Sequence, residues 1–324
     1  MKILIYSFND KIGDGLQKIT FLQKLKEIYP QSKITYTTTN TTTLKNLLNP
    51  FVEDIIDDFI ENNNIKSSFL DLFKKNLLFS EHFDLIIDLQ KVVLRTLNLK
   101  KINHSNFFSA TANFSFSNYK NHLELSFKNI YIERFYFNIL SILQNQVIED
   151  IPNIKIPYRD VSAAKIADSS NLNIGIAPGA GSITRQWDFE KYLLIGQKLR
   201  DQGYNIYFFL GPNEKNLLQR CYSHNFICPE WSGDRMISND LLFTMNLAKK
   251  MDCLICNDGG TAWMFEFAGI KTFKLFGITN ETKFARPGFS QTIQISDYGF
   301  TNIINFPIDI YEKELNLFIK NLRN

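Results

Sequence analysis

The residues best able to do chemistry sit in two glycine-rich turns, IAPGAGSITRQW (residues 176–187) and CNDGGTAWMFEFAG (residues 256–269). Each follows a short apolar run with strand character and leads into a segment with helical character. Strand, glycine-rich turn and helix start is the arrangement that turns unpaired backbone N–H groups toward an anion. In the first turn Gly179 lets a ligand approach the backbone, and Ser182 and Thr184 add hydroxyls. Arg185 adds a permanent planar cation whose fork suits phosphate oxygens. In the second, Asn257 and Asp258 end the strand, and Gly259, Gly260 and Thr261 open the helix, its N–H groups placed for a diphosphate. Neither turn is a P-loop, because no Gly-Lys-Ser/Thr closes it. The blander readings are a surface turn with an exposed arginine, and an Asp258 that only caps a helix. Two such turns together predict a phosphorylated, nucleotide-type ligand.

A third candidate is Gly13-Asp14-Gly15, after the first apolar run. It fails as a dinucleotide fingerprint, since Lys18 stands where G-x-G-x-x-G needs its last glycine. Asp14 reads either as a helix cap, the commonest role for Asp there, or as a base toward an acceptor hydroxyl. His82, His104, His122 and His224 fall in no ligand spacing, and no metal motif sits at a strand end. The Cys253-x-x-Cys256 spacing invites a zinc reading. On a strand, however, those two side chains point to opposite faces, so reduced thiols are expected.

Length and composition bound the rest. The 324 residues suffice for two domains, and 44% apolar with 21% charged residues describes a globular chain. A net charge of +3 gives no argument for nucleic acid. MKILIYSFND lacks the apolar core of a signal peptide, and no run approaches the ~20 apolar residues of a bilayer span. A cytoplasmic protein is expected, with peripheral contact on the inner membrane face compatible.

Strands are expected at 2–7, 33–39, 52–57, 83–89, 173–177, 204–211, 252–256 and 271–277. Helices are expected at 16–29, 65–79, 125–146, 189–202, 213–222, 239–250, 261–268 and 309–322, with a short helix ended by Pro50. The Pro-containing stretch 148–160 reads as a linker. This alternation predicts an α/β protein with two parallel, helix-covered, Rossmann-like sheets facing each other. The halves are residues 1–155 and 156–324, the last helix being open to packing back on the first half.

Taken in order, KIGDG, FDLIIDLQ, APGAGSITRQW, ICNDGGTAWMFEFAG and KLFGITN resemble glycosyltransferase family 9, the ADP-heptose:lipopolysaccharide heptosyltransferases, over nearly the whole chain. The resemblance implies a GT-B fold, with an N-terminal acceptor-side domain and a C-terminal domain for the nucleotide sugar. It implies an inverting, metal-independent transferase with no cofactor, moving heptose from ADP-heptose to a lipopolysaccharide core or lipid-linked glycan. Asp14 matches the general base and Arg185 the basic residue that binds donor phosphates. Gly179, Ser182, Thr184, Asn257, Asp258, Gly259, Gly260, Thr261 and Trp263 fall on the donor side, and Gly13, Lys91 and Arg95 on the acceptor side. The family's Asp-Thr/Ser-Gly is Asp-Gly-Gly here, and Trp263 stands where a histidine is usual. Three alternatives stay open: a different donor sugar, a non-catalytic member that binds nucleotide sugar or glycan, and a nucleotide-sugar 2-epimerase.

Overall fold

A computed structural model describes residues 1–69, 79–164, 166–167, 170–231 and 240–322. The chain divides into two compact units, residues 1–154 and 155–324.

The first unit runs β1 (Lys2–Ser7), α1 (Ile12–Ile28), β2 (Lys33–Thr38), β3 (Asp58–Ile60), β4 (Phe83–Asp88), α2 (Val93–Leu99), β5 (His104–Ser109) and α3 (Ile132–Gln144). Its strands are all parallel, in the order β3-β2-β1-β4-β5. β1 lies at the centre with both faces covered, which is why KILIYS is apolar without alternation. α1 is buried on more than its Leu16-Ile19-Leu22-Leu25 stripe, because Gln17, Lys18 and Thr20 are buried too. α3 covers part of it: Phe21 meets Tyr136 at 5.8 Å, and the Thr20 hydroxyl donates to Glu133. α3 ends on Asn145 in the left-handed region, φ 51°, a residue that tolerates that conformation.

The second unit runs β6 (Asn173–Ala177), α4 (Phe189–Asp201), β7 (Asn205–Phe208), α5 (Leu218–Ser223), α6 (Leu241–Ala248), β8 (Cys253–Asn257), α7 (Gly260–Phe267), β9 (Lys271–Phe276), α8 (Glu281–Phe284), β10 (Ser290–Gln294) and α9 (Ile308–Leu322). This sheet too is parallel, in the order β10-β9-β8-β6-β7. Cys253 enters the core on one face and Cys256 the core on the other. α9 sends Tyr311, Leu315, Phe318 and Ile319 into the core of this unit, so its apolar stripe is spent there. Among the described residues no helix is long and apolar enough to cross a membrane.

Several expectations change. Residues 52–55 form a turn, and the strand is the short β3 that follows. Pro50 opens a 3-10 turn, Asn49–Phe51, where its missing N–H loses nothing, and does not end a helix. The expected helix at 65–79 falls largely on 70–78, outside the described residues. The helix expected at 125–146 begins only at Ile132, after irregular chain that includes Asn129 at φ 50°. α2, β5 and β10 carry weak apolar patterns and had no counterpart in the sequence reading.

The second unit buries an ion pair. Lys274 and Glu266, both 0% exposed, meet at 2.9 Å, and the carboxylate also accepts the Thr272 hydroxyl at 2.6 Å. Lys274→Met would strand that carboxylate and should destabilise the unit by about 3–5 kcal/mol, with Glu266→Gln/Lys274→Met recovering most of the loss. All three tryptophans, Trp187, Trp231 and Trp263, lie in this unit, so their fluorescence during urea unfolding reads the effect directly.

Candidate functional site

The two glycine-rich turns leave the ends of β6 and β8, neighbours in the second sheet, and they touch. A Cβ on Gly259 would lie 3.2 Å from the Gly179 carbonyl oxygen, tighter than a side chain accepts without movement. A brace holds that approach. The Asn257 amide donates to Pro178 O at 2.6 Å, and its oxygen accepts the Tyr192 hydroxyl at 2.9 Å and the Trp187 N–H at 3.2 Å. Asn257 is 1% exposed, and these bonds tie the two turns to α4.

Arg185 ends a 3-10 turn, Ile183–Arg185, and its Nη1 lies 3.3 Å from Asp258 Oδ2. The arginine side chain keeps 27% exposure, the aspartate only 5%. Ser182 and Thr184 are exposed and share a hydrogen bond at 2.8 Å. Gly179, Gly260 and Thr261 are part-exposed. α7 starts at Gly260 behind Gly259, which supplies no side-chain cap, so its first-turn N–H groups are open to another acceptor. Trp263 departs from expectation. It is 3% exposed, turned inward beside Phe267 with the Lys274 ammonium 4.8 Å from its ring centre.

The structure adds Glu214, which the sequence reading passed over. A Cβ on Gly179 would lie 2.7 Å from its Oε1, and one on Gly211 2.9 Å from its Oε2. This carboxylate therefore sits against the phosphate-type turn, and burial raises its pKa. The available signal was an acidic residue just past the end of β7, in a loop already marked as ligand-facing. Behind it Glu230, 4% exposed, accepts the Thr244 hydroxyl. Burial, opposed by that hydroxyl and reinforced by Glu214, pushes Glu230 up to about 7.

In the first unit α1 begins at Ile12, so Asp14 lies inside the first helical turn instead of before it, with Gly13 just ahead. One carboxylate oxygen of Asp14 accepts the Lys11 N–H at 3.3 Å, the capping role, and the side chain stays part-exposed. Four residues upstream is a carboxylate that the sequence reading passed over. Asp10, 2% exposed, accepts from Lys18 Nζ at 2.6 Å, the Tyr36 hydroxyl at 2.8 Å, and Ser7 and Thr42 hydroxyls at 2.9 Å. Burial alone would raise its pKa, but the Lys18 cation and these donors outweigh burial and hold it below the usual carboxylate range. Lys18 is shifted the other way, well above its ordinary value, against its own burial and because of Asp10.

Lys91 and Arg95 follow β4, the neighbour of β1. Lys91 donates to Phe127 O and lies 4.5 Å from the Phe135 ring centre, so its ammonium is engaged within the unit. Arg95 stacks on Phe8 with 3.7 Å from guanidinium carbon to ring centre. Its Nε is buried with no hydrogen-bond partner among the described residues. At the end of β4, Asp88 accepts the Thr96 hydroxyl at 2.6 Å, the Gln90 N–H at 2.9 Å and the Ser109 hydroxyl at 3.0 Å. Burial pushes it up to about 6.

The Glu230 shift makes a pH prediction. Its folded value, about 7, lies above its ordinary 4.5, so the folded state holds the proton more tightly between those limits. Its contribution is full below pH 4.5 and is lost as pH rises through 7, a fall of roughly 2–4 kcal/mol for the second unit. Glu230→Gln, which still accepts from Thr244, should flatten this slope in urea titrations at pH 5 and pH 8. An unchanged slope would place the proton uptake elsewhere.

Comparison with known proteins follows the same lines. Glycosyltransferase family 9 from Veillonella parvula aligns with TM-score 0.67 at 18% identity, covering 99% of this chain and 97% of that one. The E. coli ADP-heptose lps heptosyltransferase II aligns at TM-score 0.61 and 14% identity over 100% of both chains. The E. coli heptosyltransferase WaaC with ADP aligns at 0.63 and 13%, covering 99% and 98%. At these identities the likeness shows the fold, the GT-B type with two α/β units. A search of curated protein sequences found no significant match. Residues 72–303 match the family described as Glycosyltransferase family 9 (heptosyltransferase), more than half of the chain, and the protein therefore belongs to that family of glycosyltransferases.

Proposed function

We propose that this glycosyltransferase moves a heptose from ADP-heptose to an acceptor hydroxyl of a lipopolysaccharide core, with inversion and without a metal ion. The observation that carries the reading is the pair of touching turns in the second unit. They present Arg185, the exposed Ser182 and Thr184 hydroxyls, and the uncapped start of α7 at one end of the sheet. A diphosphate needs such a set: a cation, hydroxyls and N–H groups fixed before the ligand arrives. Glu214, against the same turn, suits the hydroxyls of a ribose or sugar. The family's solved members support the donor, since WaaC has been seen with ADP and with ADP-2-deoxy-2-fluoro heptose.

The chemistry is a displacement at the anomeric carbon. The acceptor oxygen forms a bond to that carbon as the carbon–oxygen bond to the diphosphate breaks, and the bonding pair leaves with the diphosphate. In-line attack inverts the configuration. The acceptor proton goes to Asp14, whose carboxylate makes only the Lys11 contact among the described residues and keeps an oxygen for it. Arg185 and the α7 N–H groups take the charge that develops on the departing diphosphate. On the acceptor side, the buried, unpartnered Nε of Arg95 supports contact with an anionic group.

A second reading, the same reaction with another donor sugar, is favoured by Trp263. With that side chain buried, the start of α7 lacks the usual side-chain contact to the sugar. Thermal shift with a panel of ADP-, GDP- and UDP-sugars separates the two readings, because bound donor raises stability by mass action.

Asp14→Asn should lower transfer by roughly 10²–10⁴-fold and leave ADP-heptose binding within about twofold. Arg185→Ala should weaken ADP-heptose binding at least ~10-fold in calorimetry, the scale of one lost charge-assisted hydrogen bond. Wild-type turnover by Asp14→Asn, or unchanged calorimetry for Arg185→Ala, would refute the corresponding role.

A further inference from the structure

Lys18 is an unusual residue for its place. It lies in the second turn of α1, is 3% exposed, and carries an ammonium inside the unit. That ammonium donates to Asp10 Oδ1 at 2.6 Å and to the backbone carbonyl of Asp14 at 2.9 Å, and lies 5.7 Å from the centre of the Tyr136 ring on α3. Asp10 in turn accepts from Ser7 at the end of β1, Tyr36 in β2 and Thr42 beyond β2. Its backbone is tied to the same loop: Asp10 N–H donates to Thr41 O at 3.1 Å, and Thr43 N–H to Asp10 O at 3.0 Å. The first turn of α1 is thus pinned at a side-chain amine, through one carboxylate, to the ends of two strands.

From this geometry we infer that Lys18 and Asp10 form a positioning pair for Asp14, holding the base carbonyl-first against the strand ends so that its carboxylate meets the acceptor in one orientation. This rests on the reading of Asp14 as the base. Burying two charges to fix one helical turn is a poor route to stability, since an apolar pair of similar volume is often as stable. It is a good route to geometry. Lys18 Nζ directs its bonds to Asp10 and to the carbonyl of Asp14, and apolar side chains would fix neither the roll of α1 nor the height of its first turn. Gly15 supports the same demand: a Cβ there would lie 2.6 Å from Leu48 and 2.7 Å from the Thr43 hydroxyl, so the first turn is pressed onto the chain after β2.

The test uses the full chain with the charge-free pair Asp10→Asn/Lys18→Met, which avoids an orphaned buried ion and should keep the fold. Two readouts are taken. Hydrogen exchange of the amides of residues 11–15 should speed up at least ~10-fold, while the rest of the first unit is unchanged. With ADP-heptose and heptose-free lipopolysaccharide, kcat should fall by about 100-fold, the scale of a 1 Å misplacement, with the donor KM within about twofold. Restoring the pair as Asp10→Glu/Lys18→Arg should return part of kcat, which a loss of bulk stability would not predict. Unchanged exchange at 11–15, or faster exchange with wild-type kcat, overturns the inference. Full kcat in Asp14→Asn would instead remove the base reading, and the exchange readout, which needs no substrate, still decides whether the pair fixes the turn.

Discussion

A charge buried inside a folded unit must find its counter-charge within that unit. Among the described residues each unit buries one such pair, Asp10–Lys18 between the loop after β1 and α1 in the first, and Glu266–Lys274 between the last turn of α7 and β9 in the second. Each is wrapped by hydroxyl donors, from Ser7, Tyr36 and Thr42 in one case, and from Thr272 and Ser290 in the other. An unpaired ion in either place would cost several kcal/mol. With each pair satisfied, it gives directional contacts that fix a helix, α1 or α7, against its sheet. Arg286 extends the second network: it donates to the Glu266 carbonyl at 2.7 Å and stacks between Phe267 and Phe289. α7, the helix whose start faces the donor turn, is therefore anchored from behind by charge and in front by Asn257.

The anchoring explains the departures of this chain from its family's usual motif. The residue after Asp258 has Gly179 O directly above it, so a hydroxyl side chain there must push the two turns apart by a few tenths of an ångström. Gly259 keeps them closed, and its extended backbone, φ −159°, shows that the reason is space and not a left-handed turn. Trp263 follows the same logic. One helical turn into α7, it faces the Lys274 ammonium, and a large π face shields that buried charge better than a second polar group would. Both changes take side-chain chemistry away from the two turns and leave the backbone N–H groups of α7 as the groups presented there.

The alternation of strands and helices was legible because central parallel strands are uniformly apolar, as in KILIYS and FDLIID. The edges were not. β3 is DFI and β10 is SQTIQ, too short or too polar to stand out, and both lie at the margin of a sheet. Among the candidate residues, Arg185, Asp258 and the glycines stand out from spacing alone, since a glycine-rich turn between an apolar run and a helix leaves N–H groups open. Asp10, Lys18, Glu214 and Glu230 could not. Their roles depend on partners distant in the chain, such as Tyr36 and Thr42 for Asp10 and Gly179 for Glu214. The bracing role of Asn257 was likewise not legible, because its partners Pro178, Trp187 and Tyr192 lie 65 to 79 positions away in the chain.

Under the proposed function, the Arg185–Asp258 contact sets how a donor would bind. At 3.3 Å the pair is a single long hydrogen bond and not the bidentate fork these groups can form. Asp258 is the fixed partner, nearly buried and held by its N–H donating to Leu275 O at 3.3 Å. Arg185 is the adjustable one, a quarter exposed on a loop. A diphosphate entering beside α7 carries more charge than one carboxylate and offers oxygens on several sides, so it competes well for the free edge of the guanidinium. It need not break the Asp258 contact to do so, because the fork has five donors and the aspartate uses one. Asp258 thus aims the arginine before the donor arrives. With Glu214 also against these turns, two carboxylates stand beside one cation among the described residues, and the N–H groups of α7 would supply the remaining attraction for the proposed donor. A nucleotide lacking the phosphate that reaches those groups would find little to bind.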